Sequence, residues 1–217
     1  MTNRSNDTFV SSKFNFGEGL DFIEITGKKI YGPHFKVYDQ DHEIIFRLMT
    51  YFLRDSGNAD SLKINLRKGL LLMGPVGCGK TSLMRIFKYI LPQNLQHVMI
   101  TTRNISFQFL REGHEVIRKY SEQSFAMISN NWTPRIYCFD DLGVENSLKY
   151  FGNECNVMAE ILLSRYDLYI SHKMLTHVTT NLTSSEIEKL YTSRVRSRMR
   201  ELFNVISFSE STPDKRK

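Results

Sequence analysis

The chain has 217 residues, of which 41% are hydrophobic and 24% charged, and it carries a formal net charge of +6 with a pI near 9.2. That length suits one domain with a substantial core, and the balance is that of a globular protein. No apolar run approaches the roughly 20 residues that cross a bilayer, Met1 to Ser12 is too polar for a signal peptide, and three cysteines are poor material for a disulfide framework. A cytoplasmic protein without a membrane partner is the expectation. In chain order, residues 1–20 lack apolar periodicity and read as a mobile arm. Asp41 to Arg54 reads as an amphipathic helix with Ile44, Ile45, Leu48, Met49, Phe52 and Leu53 on one stripe, ended by Ser56-Gly57-Asn58.

From Gly69 onward, strand and helix patterns alternate. Gly69–Met73 reads as a buried strand, Ser82–Leu91 as a helix, and His97–Thr102 as a second strand. Helices follow at 106–113 and 115–130, then a strand at 135–140, a helix at 157–168 and a strand at 174–180. Helices at 185–191 and 194–202 and a fifth strand at 205–208 complete the series. Such alternation argues for an α/β fold, a mostly parallel five-stranded sheet with helices on both faces. Ligands in such sheets bind at the carboxyl ends of the strands. The division expected is an arm at 1–20, an extension packed on the core at 21–68, the α/β domain itself at 69–210 and a basic tail at 211–217. The closing Lys215-Arg216-Lys217 reads as a solvated end.

The strongest signal is Gly74-Pro75-Val76-Gly77-Cys78-Gly79-Lys80-Thr81, which fits the phosphate-binding loop G-x-x-x-x-G-K-[ST] at every fixed position. Its glycines let the backbone turn its N–H groups onto phosphate oxygens, and the helix it opens, with Ser82 in its first turn, favours an anion. Lys80 reaches the β- and γ-phosphates, and the Thr81 hydroxyl suits Mg²⁺. Cys78 fills a variable position. Downstream, Ile136 to Asp140 is an apolar strand ending in Asp140-Asp141-Leu142-Gly143. A carboxylate at such a strand tip suits the metal, a role given to Asp140, and Asp141 is then placed to orient or deprotonate water. Aspartate is one methylene shorter than glutamate, so slow turnover is expected. Asn181, just beyond the 174–180 strand, is placed to bond the γ-phosphate or the water. In Ser193-Arg194-Val195-Arg196-Ser197-Arg198-Met199-Arg200, Arg194 and Arg198 share one helix face, suited to phosphate in cis or across a subunit boundary.

Taken together, these residues resemble the AAA+ ATPases, and within them the DnaC/IstB group of helicase loaders and transposition helpers. The resemblance spans roughly residues 65–210 and rests on GPVGCGKT at 74–81, FDDLG at 139–143, TTNLT at 179–183 and SRVRSRMRE at 193–201. It implies an AAA+ core without a C-terminal helical lid, ATP and Mg²⁺ as cofactors, Asn181 as the sensor residue, and Arg198 with its companion Arg194 as the arginine finger of a neighbour's site. It further implies head-to-tail homo-oligomers and a DNA-acting partner, either a replicative helicase or a transposase. Single-stranded DNA is implied near Arg111 and Lys119, bound through its backbone. The function expected is slow, partner- or DNA-stimulated ATP hydrolysis that loads or remodels such a partner. The alternatives are a transposition helper, a non-catalytic ATP-dependent switch and a small-molecule kinase.

Overall fold

The computed structural model describes residues 14–128, 130–145, 148–150 and 153–216, and the chain divides into two compact units, Met1–Leu66 and Arg67–Lys217. In the first unit, α1 spans Phe16–Tyr31, and the Asn15 side chain accepts from the N–H groups of Gly17 and Glu18. That cap makes residues 16–20 the first turn and a half of a helix, which corrects the expectation of an arm to residue 20; residues 1–13 lie outside the described set. The helix α2, His42–Phe52, buries Ile44, Ile45, Leu48, Met49 and Phe52 as its stripe requires. Ser56-Gly57-Asn58 does not simply end it. Asp55 accepts from Gly57 and Asn58 N–H and opens a short further helix, α3, Ser56–Ser61.

The second unit runs β1 (Gly69–Met73), α4 (Lys80–Lys88), β2 (Val98–Thr101), α5 (Thr102–Glu112), α6 (Glu115–Tyr120), β3 (Phe125–Ile128), β4 (Asn131–Pro134), β5 (Tyr137–Leu142), β6 (Leu148–Tyr150), β7 (Asn153–Cys155), α7 (Val157–His172), β8 (Thr176–Thr180), α8 (Ser184–Leu202) and β9 (Phe203–Ser207). Five strands form one sheet in the order β2-β5-β8-β1-β9, and every pair in it is parallel. Side chains alternate across a strand. Leu71, Tyr137, Phe139, Val178 and Phe203 therefore share one face, where they form a single core with residues of α5, α6, α7 and α8. Leu70, Leu72, Cys138 and His177 are buried on the other, where the Met84 carbonyl of α4 lies 3.1 Å from His97 Nε2. No helix follows β9 among the described residues.

Two segments depart from the sequence reading. The helix expected at 115–130 stops at Tyr120, because the Ser121 hydroxyl bonds back to the Ile117 carbonyl and Ser124 N–H closes a turn on Ser121; an antiparallel hairpin, β3–β4, follows. A second hairpin, β6–β7, lies between the carboxylate strand and α7. As for the remaining segment, α8 contains both helices expected at 185–191 and 194–202, which meet at the non-helical Thr192 (φ 74°). It is opened by a capping box between Thr183 and Glu186.

Candidate nucleotide site

At the carboxyl end of β1 the chain turns through Gly74 into the loop, and Gly74 N–H donates to the Thr180 carbonyl at the end of β8. Gly77 and Gly79 take φ values of 80° and 106°, a left-handed conformation that glycine adopts without steric cost. Gly79 is the N-cap of α4 and supplies no side-chain cap, so the first N–H groups of the helix are left to a ligand. Lys80 is 6% exposed, and its Nζ donates to the carbonyls of Gly74 (2.7 Å) and Pro75 (2.9 Å). Cys78 is fully buried beneath it. Pro75 and Val76 form the outer turn of the loop, with Val76 exposed, and Thr81 and Ser82 lie in the first turn of α4.

Asp140 is 3% exposed, and its Oδ1 accepts from two hydroxyls, Thr81 Oγ1 at 2.9 Å and Thr179 Oγ1 at 2.7 Å. The Thr81 contact joins the loop to the carboxylate strand across 59 residues of sequence. The next residue breaks the strand. Pairing of β5 with β8 shifts between Phe139 and Leu142, and Asp141 has φ 58°. Consecutive residues of a regular strand point to opposite faces; a bulge re-aims one of them. Here Asp141 keeps its backbone anchored, its N–H donating to Thr179 Oγ1 (3.0 Å) and its carbonyl accepting from Thr102 Oγ1 (2.8 Å). Its carboxyl pKa is raised by burial and by the charge of Asp140, with Lys80 and Arg216 acting the other way.

Asn181 is exposed immediately beyond β8, one residue from the Thr180 carbonyl that receives Gly74 N–H. The loop, Asp140, Asp141 and Asn181 thus gather at the carboxyl ends of β1, β5 and β8. The arginines do not join them. Arg198 stacks its guanidinium over the Tyr166 ring at 4.3 Å and donates to Tyr166 Oη (3.0 Å) and Glu201 (3.3 Å). Arg194 lines a separate groove with Cys155, Glu160, Tyr191 and Thr192. Lys119 is taken up by Gln108 and Glu112, while Arg111 is exposed.

Sequence reasoning missed Thr179 and Thr102, which position both aspartates, because a threonine on a strand or at a helix start carries no signature of its own. Register could have found Thr179: Phe139 pairs with Val178, so the next residues of the two strands stand side by side. It also missed the segment after β9. The tail expected to be solvated is bonded to the loop, with Lys215 Nζ donating to the Cys78 carbonyl at 2.6 Å.

Residues 69–148 match the family model described as AAA domain (dynein-related subfamily). Over 131 residues the chain is 28% identical to an uncharacterized protein of Schizosaccharomyces pombe, covering 56% of this chain but only 26% of that protein, so it spans about a quarter of that relative's length. Among solved structures it is similar to the DnaC helicase loader (TM-score 0.53, 14% identity, 81% of this chain and 93% of that one) and to DnaI (TM-score 0.54, 20% identity, 84% and 88%). It is also similar to AMPPCP-bound DnaA from Aquifex aeolicus (TM-score 0.53, 12% identity, 81% and 48%). Residues 69–148 thus match an AAA domain, and the chain shares the fold of the DnaC and DnaI structures. Among the described residues no helix is long and apolar enough to cross a membrane.

Proposed function

We propose that the chain binds ATP with Mg²⁺, hydrolyses it slowly, and uses the cycle to load or remodel a DNA-acting partner. The observation that carries this reading is the Thr81–Asp140 hydrogen bond at the mouth of the loop. It places two hard oxygen donors together beside a set of backbone N–H groups, the protein's share of a Mg–nucleotide site in which phosphates and waters supply the remaining ligands. Thr81 and Asp140 would hold the ion, which when bound neutralises charge on the phosphates. Lys80 would leave its loop carbonyls for the β- and γ-phosphate oxygens. Asp141 would accept a proton from water, and its raised pKa makes it a better base than an exposed aspartate. Asn181 would orient that water or the γ-phosphate. The likeness to a structure with AMPPCP bound and to the DnaC helicase loader supports the ligand and the role.

The arginines favour assembly. Arg198, with partners of its own, and Arg194, which lines a groove, lie on the α7–α8 side, so they fit action on a neighbour in a head-to-tail oligomer. Single-stranded DNA is part of the proposal through the α5 surface around Arg111. The test is ATP turnover of the parent, Lys80→Ala and Asp141→Asn proteins with and without single-stranded DNA, followed by affinity capture on Asp141→Asn. Turnover in the parent alone, and nucleotide-dependent recovery of a replicative helicase, are expected. A parent no more active than Lys80→Ala under every condition sinks the hydrolase, and recovery of a transposase instead makes it a transposition helper.

A further inference from the structure

Beyond β9 the chain returns to the phosphate loop. Phe208 N–H donates to the carbonyl of Met73, the last residue of β1, at 2.8 Å, which starts the segment at the root of the loop. Lys215 then meets the loop twice: its N–H donates to the Gly77 carbonyl at 3.1 Å, and its Nζ donates to the Cys78 carbonyl at 2.6 Å. The Lys215 ammonium also lies over the Phe208 ring, 5.3 Å from the centroid, so the segment is closed on itself. Asp214 occupies the space that a Cβ on Gly77 would need. Its carboxylate is held by Arg216, through Nε at 3.0 Å, Nη2 at 2.9 Å and the backbone N–H at 3.0 Å. The charge of Arg216 is felt at Asp141 as well.

The contact is on the carbonyl side of the loop. A trans peptide is planar, so a carbonyl and the following N–H point in opposite directions and turn together. Fixing the Gly77 and Cys78 carbonyls therefore fixes the N–H groups of Cys78 and Gly79, which belong to the same two peptides and are among those that a phosphate-binding loop offers its ligand. We propose that Asp214 and Lys215 are positioning residues of the phosphate loop: the 208–216 segment straps the loop from behind and holds its N–H groups in register for phosphate oxygens. Its consequence for nucleotide rests on the ATP-binding reading above, whereas the strap itself does not.

Two measurements separate them. The first is hydrogen exchange of the Gly77–Lys80 amides in nucleotide-free protein, comparing the parent with Lys215→Pro, which removes both donors, Lys215→Ala, which removes one, and Lys215→Arg, which keeps a cation. Loop exchange is expected to rise about tenfold in Lys215→Pro and less in Lys215→Ala, with Lys215→Arg close to the parent and the amides of β5 and β8 unchanged as the sign of an intact fold. The second is titration with a fluorescent ATP analogue and Mg²⁺, where Kd is expected to rise about tenfold in Lys215→Pro, or about 1.4 kcal/mol, and to stay near the parent value in Lys215→Arg. Equal loop exchange in the parent and Lys215→Pro overturns the strap, whatever the titration gives. A parent that binds no analogue, yet whose loop exchange depends on Lys215, keeps the strap and overturns the nucleotide reading.

Discussion

Asp141 sits at φ 58°, a conformation that Asp and Asn tolerate and β-branched residues do not. Its backbone conformation and its carboxylate are therefore separable by substitution. Asp141→Asn keeps both the backbone preference and the anchors to Thr179 and Thr102, so it is expected to melt with the parent while turnover falls at least about a hundredfold, the usual range for loss of a general base. Asp141→Val adds the steric cost, about 1–2 kcal/mol, and is expected to lower Tm as well. Equal turnover in Asp141→Asn and the parent would remove Asp141 from the chemistry. The same carboxyl predicts a pH profile. With its pKa raised above the usual aspartate value, the acidic limb of the turnover profile should lie at a higher pH than an exposed aspartate would give, and that limb should be absent from the residual activity of Asp141→Asn.

At the scale of elements, the two aspartates depend on the strand beside them. Thr179 Oγ1 donates to Asp140 and accepts from Asp141 N–H, so Thr179→Val leaves a buried carboxylate short of one donor and a backbone donor unpaired. A cost of about 1–3 kcal/mol is expected, read as a lower Tm together with weaker nucleotide binding; Thr179→Ser should recover both. This layer of the site was not legible in the sequence. The loop was, because glycine spacing and Lys80-Thr81 form a fixed local pattern; Asp140 was, because a carboxylate ending an apolar run is conspicuous. The bulge at Asp141 depends on pairing between distant strands, and the β3–β4 hairpin depends on a serine that chose its own backbone over the next helical turn. Helix periodicity continues across such a break, so local pattern alone extended the helix to residue 130. The five sheet strands were legible because each is a short run rich in apolar or β-branched residues, whereas β6 and β7 are three residues each and carry no such pattern. Buried histidines between elements add a further dependence. His97 and His177 meet edge to face with centroids 5.3 Å apart, and Leu70 N–H donates to His177 Nδ1. Burial lowers the His97 pKa from 6.5 to about 4 and holds that of His177 well below its usual range. The unfolded chain takes up protons that the native one refuses, so this stability is fully present above about pH 6.5 and is lost as pH falls toward 4. His97 alone accounts for about 1.5 kcal/mol between pH 6.5 and pH 5, because the unfolded imidazole is only half protonated at the upper end. Tm measured across pH 5–7, above the range of ordinary carboxylates, should drop on acidification; a flat Tm there would show that the pair is not neutral in the native state.

At the scale of the whole molecule, the open question is which chain the arginines serve. Arg198 is built into a small cluster: its guanidinium stacks on Tyr166, Tyr166 Oη bonds Glu201 at 2.8 Å, and Glu201 also takes Arg198. Such stacking pre-orients a planar cation at little further entropic cost, which is what a group aimed at a separate subunit's phosphate needs. If Arg198 completes a neighbour's site, an oligomer can be assembled from two defective chains. Lys80→Ala keeps the finger and loses the nucleotide site. Arg198→Ala keeps the site and loses the finger. Each alone is expected to turn over ATP at least about a hundredfold more slowly than the parent, as loss of a transition-state cation does. Mixed together, they place intact sites against intact fingers at some of the subunit boundaries, so activity should reappear with a maximum near equal proportions and should depend on total protein concentration. A cis role gives a different curve: the mixture would show only the summed residual rates at every ratio, and activity per chain would not change on dilution. Affinity of Arg198→Ala for the ATP analogue, measured on dilute monomer, should match the parent, because the site of its own chain is built from β1, β5, β8 and α4 and includes no atom of Arg198.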